Sequence, residues 1–141
     1  PKAIAEFCKN TGQPAPKDRG EIVRCILESL ALKYQMIREQ IEKVSGAKIE
    51  KLHIVGGGSK NHLLNQFTAN ALGMPVLAGP SEATAIGNII VQAMALKIIP
   101  DIKTARSIIR NSFPLKIFEP KNQTQWRDAS LKFAKIISKS P

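Results

Sequence analysis

A chain of 141 residues, 43% hydrophobic and 23% charged, has the composition of a soluble globular protein, so it forms one domain or part of one rather than a disordered tail. No apolar run reaches the roughly 18 residues of a membrane span, and the opening PKAIAEFCKNTG lacks the charged and apolar blocks of a signal peptide. The expectation is a cytoplasmic protein with no membrane partner. The formal charge of +10 admits an anionic partner, but Lys and Arg are scattered along every segment with few aromatics between them. That pattern favours solvated helix faces over a nucleic-acid groove, and no nucleic acid is expected as partner.

Residues 1–18, with Gly12, Pro14 and Pro16, read as an irregular lead-in holding one short helical piece. Cys8 and Cys25 have no CxxC spacing, and His53 and His62 no HxxxH spacing, so neither a zinc site nor a disulfide framework is expected. A long helix follows. Val23, Leu27, Leu30, Tyr34, Ile37, Ile41 and Val44 lay one apolar stripe along it, with Asp18 and Glu21 as a capping box and Gly46 as the stop.

KIEKLHIVGG has the β-branched character of a buried strand ending at Gly56, and a helix from about Ser59 to Leu72 carries Leu63, Leu64, Phe67 and Ala71 on one side, closed by Gly73. MPVLAG is a second short strand. Ser81 is placed to cap a helix running to about Lys97, with Ile86, Ile89, Ile90, Ala93 and Met94 as its packing face. DIKTARSIIRN predicts a short helix, SFPLKIFEPKNQ an extended connector, and TQWRDASLKFAKIISK a last helix built on Trp126, Ala129, Phe133 and Ile137. Two parallel strands with helices between them would be poorly covered, so the expected fold is an α/β domain with an incomplete sheet, the remaining strands lying upstream.

The stretch HIVGGGSKNHLLN carries the chemistry. Three glycines between a strand and a helix allow positive φ and let a flat or phosphorylated ligand lie against the main chain. The helix that follows aims free N–H groups at the same point, which suits a nucleotide. Asn61 and Asn65, one turn apart, supply amide donors and acceptors for a base or ribose. A tight turn with no ligand remains the alternative. GxxxxGK[ST] is absent, and GGGSKN has Asn61 where a dinucleotide fingerprint has its third glycine. In AGPSEATAIGNIIVQAMA, the residues Ala83, Ala85 and Gly87 make the start of a helix slim. Close approach of another element and ordinary internal packing explain this equally well.

Together with GEIVRCILESLALKY, these two stretches resemble the carboxy-terminal part of the FGGY carbohydrate kinases, over roughly residues 8–130. The resemblance implies the C-terminal part of a ribonuclease-H-like ATP-binding domain of the actin, hexokinase and Hsp70 type, with residues 1–141 as a single partial domain. It implies that Gly56, Gly57 and Gly58 form the adenosine motif, that Asn61 and Asn65 lie where the following helix faces the adenine, and that Ala83, Ala85 and Gly87 form an interdomain hinge. The implied cofactors are ATP and Mg²⁺, and the implied reaction is γ-phosphoryl transfer to a sugar bound by upstream sequence. Asp18, Asp101 and Asp128 match no catalytic position, so no catalytic residue is assigned in this chain. Surface left open by the missing part is expected to promote dimers. The competing expectations are a stand-alone nucleotide-binding or interaction module and a basic nucleic-acid binder.

Overall fold

The computed structural model describes residues 1–138. Helix α1 (Lys2–Asn10) precedes the long α2 (Arg19–Ser45); strand β1 (Leu52–Ile54) leads through a 3₁₀ turn (Gly57–Lys60) into α3 (His62–Leu72) and β2 (Val76–Ala78). Then come α4 (Ala83–Ala95), α5 (Ile102–Ser112), β3 (Lys116–Phe118) and α6 (Gln123–Ile137). The lead-in is thus helical for nine residues.

Local signals set the ends of α2. Asp18 accepts from the Glu21 N–H at 2.8 Å, and the Glu21 carboxylate accepts from the Lys17 N–H at 2.6 Å. The return arm of the expected capping box therefore reaches one residue further back than the cap itself. Gly46, in the left-handed region, ends the helix. Immediately beyond, Glu42 accepts from the Ile49 N–H at 2.8 Å and from Arg38 at 3.0 Å, tying the loop back onto the helix.

The Ile49 N–H, then the Arg38 guanidinium, hold the Glu42 carboxyl below its usual range. A carboxylate with a depressed folded-state pKa stabilises the fold above its unfolded value and loses that contribution as pH falls through the lowered one. We therefore expect melting temperature to fall more steeply between about pH 5 and pH 3 in the native chain than in Glu42→Gln. Parallel slopes in a pH series of thermal melts would show that Glu42 does not contribute.

The sheet has three strands in the order β1-β2-β3. Strands β1 and β2 are parallel, with Leu52 opposite Val76; β2 and β3 are antiparallel, with Val76 opposite Phe118. The connector expected at 112–123 therefore contains a strand. Its three residues lie between Pro114 and Pro120, too short for an alternating pattern to stand out.

Helix α3 lies between two apolar layers. Ala71 and Leu72 join Ala31, Leu32 and Met74 in one cluster, against which Phe67, Trp126 and Phe133 pack; Ala69 joins Val76, Ala78 and Phe118 in the other. The Phe67 and Trp126 rings meet at 5.3 Å between centroids, so α6 docks through residues its periodicity marked. Helix α4 buries none of its residues, and Ile89 stays 66% exposed. It begins at Ala83, with Glu82 at the cap and no side-chain cap bond, so Ser81 does not cap it as expected. The Pro80 carbonyl is held by the Gly56 N–H at 2.9 Å, and Ser81 and Glu82 form a turn ahead of the helix.

Cys8 and Cys25 are free thiols lining one apolar cavity of about 610 Å³ between α1, α2 and α6. Burial, reinforced by the neighbouring Cys8 thiol, pushes the Cys25 thiol up. Alkylation of Cys25 by iodoacetamide at about pH 8 should accordingly run several-fold slower than that of a free cysteine peptide. Equal rates by mass spectrometry would contradict that environment.

Candidate functional site

Parallel strands β1 and β2 end side by side, and the chain turns into a helix after each. The Gly56 N–H donates to the Pro80 carbonyl at 2.9 Å, and the Gly79 N–H donates to the Ile54 carbonyl at 2.8 Å, which stitches the two exits together. Lys60 and Glu82 face each other at 3.5 Å across the same seam. The triple glycine and the slim start of α4, well separated in sequence, thus share the carboxyl end of the sheet. In open α/β sheets this is where ligands collect.

Gly56 has φ 75° and ψ −161°, a conformation that side chains other than hydrogen essentially exclude. Gly57 differs. A Cβ built there would meet nothing within 4 Å, so no atom of this chain requires glycine at 57. Gly58 would meet only Ile54 at an ordinary 3.7 Å. Geometry therefore asks for one glycine at Gly56 and leaves open space over Gly57.

Beneath the turn lies Ser59, buried, whose hydroxyl donates to the Gly56 carbonyl at 2.7 Å and whose N–H reaches the same oxygen at 3.0 Å. Asn65, fully buried, donates its side-chain amide to the Ser59 carbonyl at 2.9 Å. Asn65 therefore supports the turn through Ser59. Asn61 is exposed and caps α3, accepting from the Leu64 N–H at 3.0 Å, while its own N–H donates to Gly58. Its Nδ2 donates to no group among the described residues.

Two basic side chains that sequence reasoning did not single out stand beside this cap. Lys116 Nζ is 3.4 Å from His62 Nδ1 and lies over the Phe118 ring at 5.5 Å. No local pattern links residues 62 and 116; the antiparallel β3 brings them together. Ser59 was equally hidden, because nothing in GGGSKN marks a serine that folds under the turn.

The three slim residues of α4 meet no tight packing. Ala85 is exposed, Ala83 and Gly87 are half-buried, and a Cβ at Gly87 would find nothing within 4 Å. Internal packing therefore does not explain that glycine. Among the described residues no three of His, Cys, Asp and Glu gather as a metal site, and no helix is long and apolar enough to cross a membrane.

Comparison with known proteins bears on the same residues. The family model described as the C-terminal domain of the FGGY family of carbohydrate kinases matches residues 1–96. The rhamnulokinase of Bacteroides thetaiotaomicron is 52% identical over 136 residues, covering 96% of this chain and 28% of that protein. The rhamnulokinase of Bacillus subtilis is 46% identical over 121 residues, covering 86% of this chain and 25% of its own length. The chain thus spans between a quarter and a third of these relatives.

Among solved structures, Plasmodium falciparum glycerol kinase with ADP superposes with a TM-score of 0.71 at 22% identity, over 86% of this chain and 24% of that one. Xylulose kinase from Rhodospirillum rubrum gives 0.67 at 19% identity, over 90% and 26%. These two likenesses establish the fold. With its first 96 residues matched by the family model and its α/β architecture shared with two sugar kinases, the chain belongs to the FGGY family of carbohydrate kinases, as C-terminal domain.

Proposed function

We propose that this chain is the nucleotide-binding C-terminal part of a kinase that transfers the γ-phosphoryl group of ATP to the 1-hydroxyl of L-rhamnulose. The observation that carries the nucleotide role is the open space over Gly57 at the carboxyl end of β1, above a turn that Ser59 and Asn65 brace from below. Gly56 shapes the turn, Gly57 and Gly58 offer bare backbone to the nucleotide, and Asn61 presents Nδ2 donors beside it. The first N–H groups of α3, at His62 and Leu63, have no helical acceptor and add a favourable field for anionic oxygens. Asn65 acts by holding Ser59.

ATP supplies the phosphoryl group, and Mg²⁺ bound to its phosphates neutralises charge as the group moves. The residues here bind and orient the nucleotide. A carboxylate that accepts the sugar proton, and the sugar pocket itself, fall to the part of the longer relatives outside the matched region. Ala83, Ala85 and Gly87 give α4 a slim face for close approach by the companion domain, which would cover its apolar surface and serve as a hinge. The choice of L-rhamnulose rests on the curated relatives, two of them 52% and 46% identical. A soluble cytoplasmic setting and dimers through surface left open in the isolated chain belong to the same reading.

Two preparations test it. The 141-residue chain alone should release no ADP in response to L-rhamnulose with ATP and Mg²⁺. Joined to the N-terminal part of the Bacteroides thetaiotaomicron relative, it should restore ADP release with L-rhamnulose and favour that sugar over xylulose and glycerol. Turnover by the chain alone would overturn the division of labour, and preference of the chimera for another sugar would overturn the substrate.

A further inference from the structure

We infer that Lys60 contacts a phosphate of the nucleotide, and that Glu82 is the partner it gives up for that phosphate. The inference rests on the nucleotide reading above and adds the group that tells ADP and ATP from adenosine.

Charge is scarce around the glycine turn. From Leu52 to Leu96, through β1, the turn, α3, β2 and α4, Lys60 and Glu82 are the only Asp, Glu, Lys or Arg, although 23% of the whole chain is charged. These two meet at 3.5 Å, one from the end of the turn and the other from the cap of α4. Their side chains are 68% and 71% exposed. An ion pair so open to water adds little to stability, so holding the fold together does not account for it.

Its position offers a better account. Ser81, next to Glu82, brings its carbonyl oxygen to 4.0 Å from where a Cβ on Gly56 would stand, so the pair borders the turn over which Gly57 leaves open space. A lone carboxylate at that border would repel a polyphosphate, and Lys60 masks it. Lysine is a point charge with three rotatable donors on a flexible stem, suited to following a phosphate. One carboxylate competes poorly for it with the several charges of ADP or ATP. Lys60 also stands one residue before Asn61, the cap of α3, at the end of the helix where the N–H groups of His62 and Leu63 are free.

Glu82 has a second place to go. It caps α4 through its backbone but makes no side-chain cap bond, and the first N–H groups of that helix have no helical acceptor. Released by Lys60, its carboxylate can accept from them. The exchange leaves neither charge without a partner.

The test is calorimetric titration of the chimera described above with adenosine, ADP and ATP in the presence of Mg²⁺. Lys60→Met should weaken ADP and ATP by about tenfold and leave adenosine within about twofold. Lys60→Arg should keep most of the affinity that Lys60→Met loses. Glu82→Gln should act in the opposite direction, tightening ADP and ATP by about two- to fivefold because the competing carboxylate is gone. Opposite signs at the two ends of one ion pair mark the exchange. A bridge that only held the turn to α4 would weaken all three ligands in both variants, and that result would overturn the inference. So would a Lys60→Met loss equal for adenosine and ATP. Both side chains are exposed, so both variants should fold, which thermal melts check; Lys60→Gln replaces Lys60→Met if the latter does not. Gly57→Val identifies a failure of the nucleotide reading itself. If it leaves adenosine and ATP affinity unchanged in the folded chimera, the turn is not the site and the inference falls with that reading. If it weakens all three ligands while Lys60→Met weakens none, the inference alone falls.

Discussion

Gly57→Val in the chimera is expected to fold as the parent does and to lose ATP and ADP affinity by about tenfold or more. Gly56→Val is expected to fail earlier, at the level of the fold. The contrast follows from geometry. Position 57 has open space where the new side chain would go, so the valine projects into the volume assigned to the nucleotide. Position 56 combines φ 75° with ψ −161°, and forcing a β-branched residue into it costs about 1–3 kcal/mol. Calorimetric titration of the chimera, with thermal melts of both variants, separates the two effects. If Gly57→Val retained full affinity while folded, the turn would not hold the nucleotide.

The second large effect is expected at Asn65. Asn65→Leu removes the donor to the Ser59 carbonyl inside a fully buried site, leaving that oxygen unpaired, and should destabilise the chain by about 1–3 kcal/mol in denaturant unfolding. Ser59→Ala, which keeps its backbone bond to Gly56, should cost less, about 0.5–1.5 kcal/mol. Both residues brace one turn, so the double variant should fall short of the sum. A strictly additive double variant would mean that Asn65 and Ser59 act separately.

Helices with strong local rules were legible in the sequence. The cap at Asp18, the stop at Gly46 and the apolar stripe between them define α2, and the short helix expected at DIKTARSIIRN is α5, although its cap, Asp101 accepting from the Thr104 N–H at 2.7 Å, was not marked. Helix α6 docks through Trp126, Ala129 and Phe133, as its period indicates. The strand at Lys116–Phe118 was not legible, because its pairing with β2 is a contact between distant segments. The same holds at the site. GGG followed by a helix marks the turn, but that Asn65 lies under it while Asn61 caps α3 depends on how α3 seats against the sheet, which no local pattern encodes. Ser81 is a suitable cap by residue type, yet the bond from Gly56 to the Pro80 carbonyl holds that segment out of the helix.

Helix α3 is gripped on both sides, by the sheet through Ala69 and by α2 and α6 through Phe67 and Leu72. The glycine turn is rooted in that helix through Asn65, so its backbone donors are already ordered before any ligand arrives. On the proposed reading, a nucleotide docking there would find little conformational entropy left to lose, and the association energy would go into affinity rather than into arranging the loop.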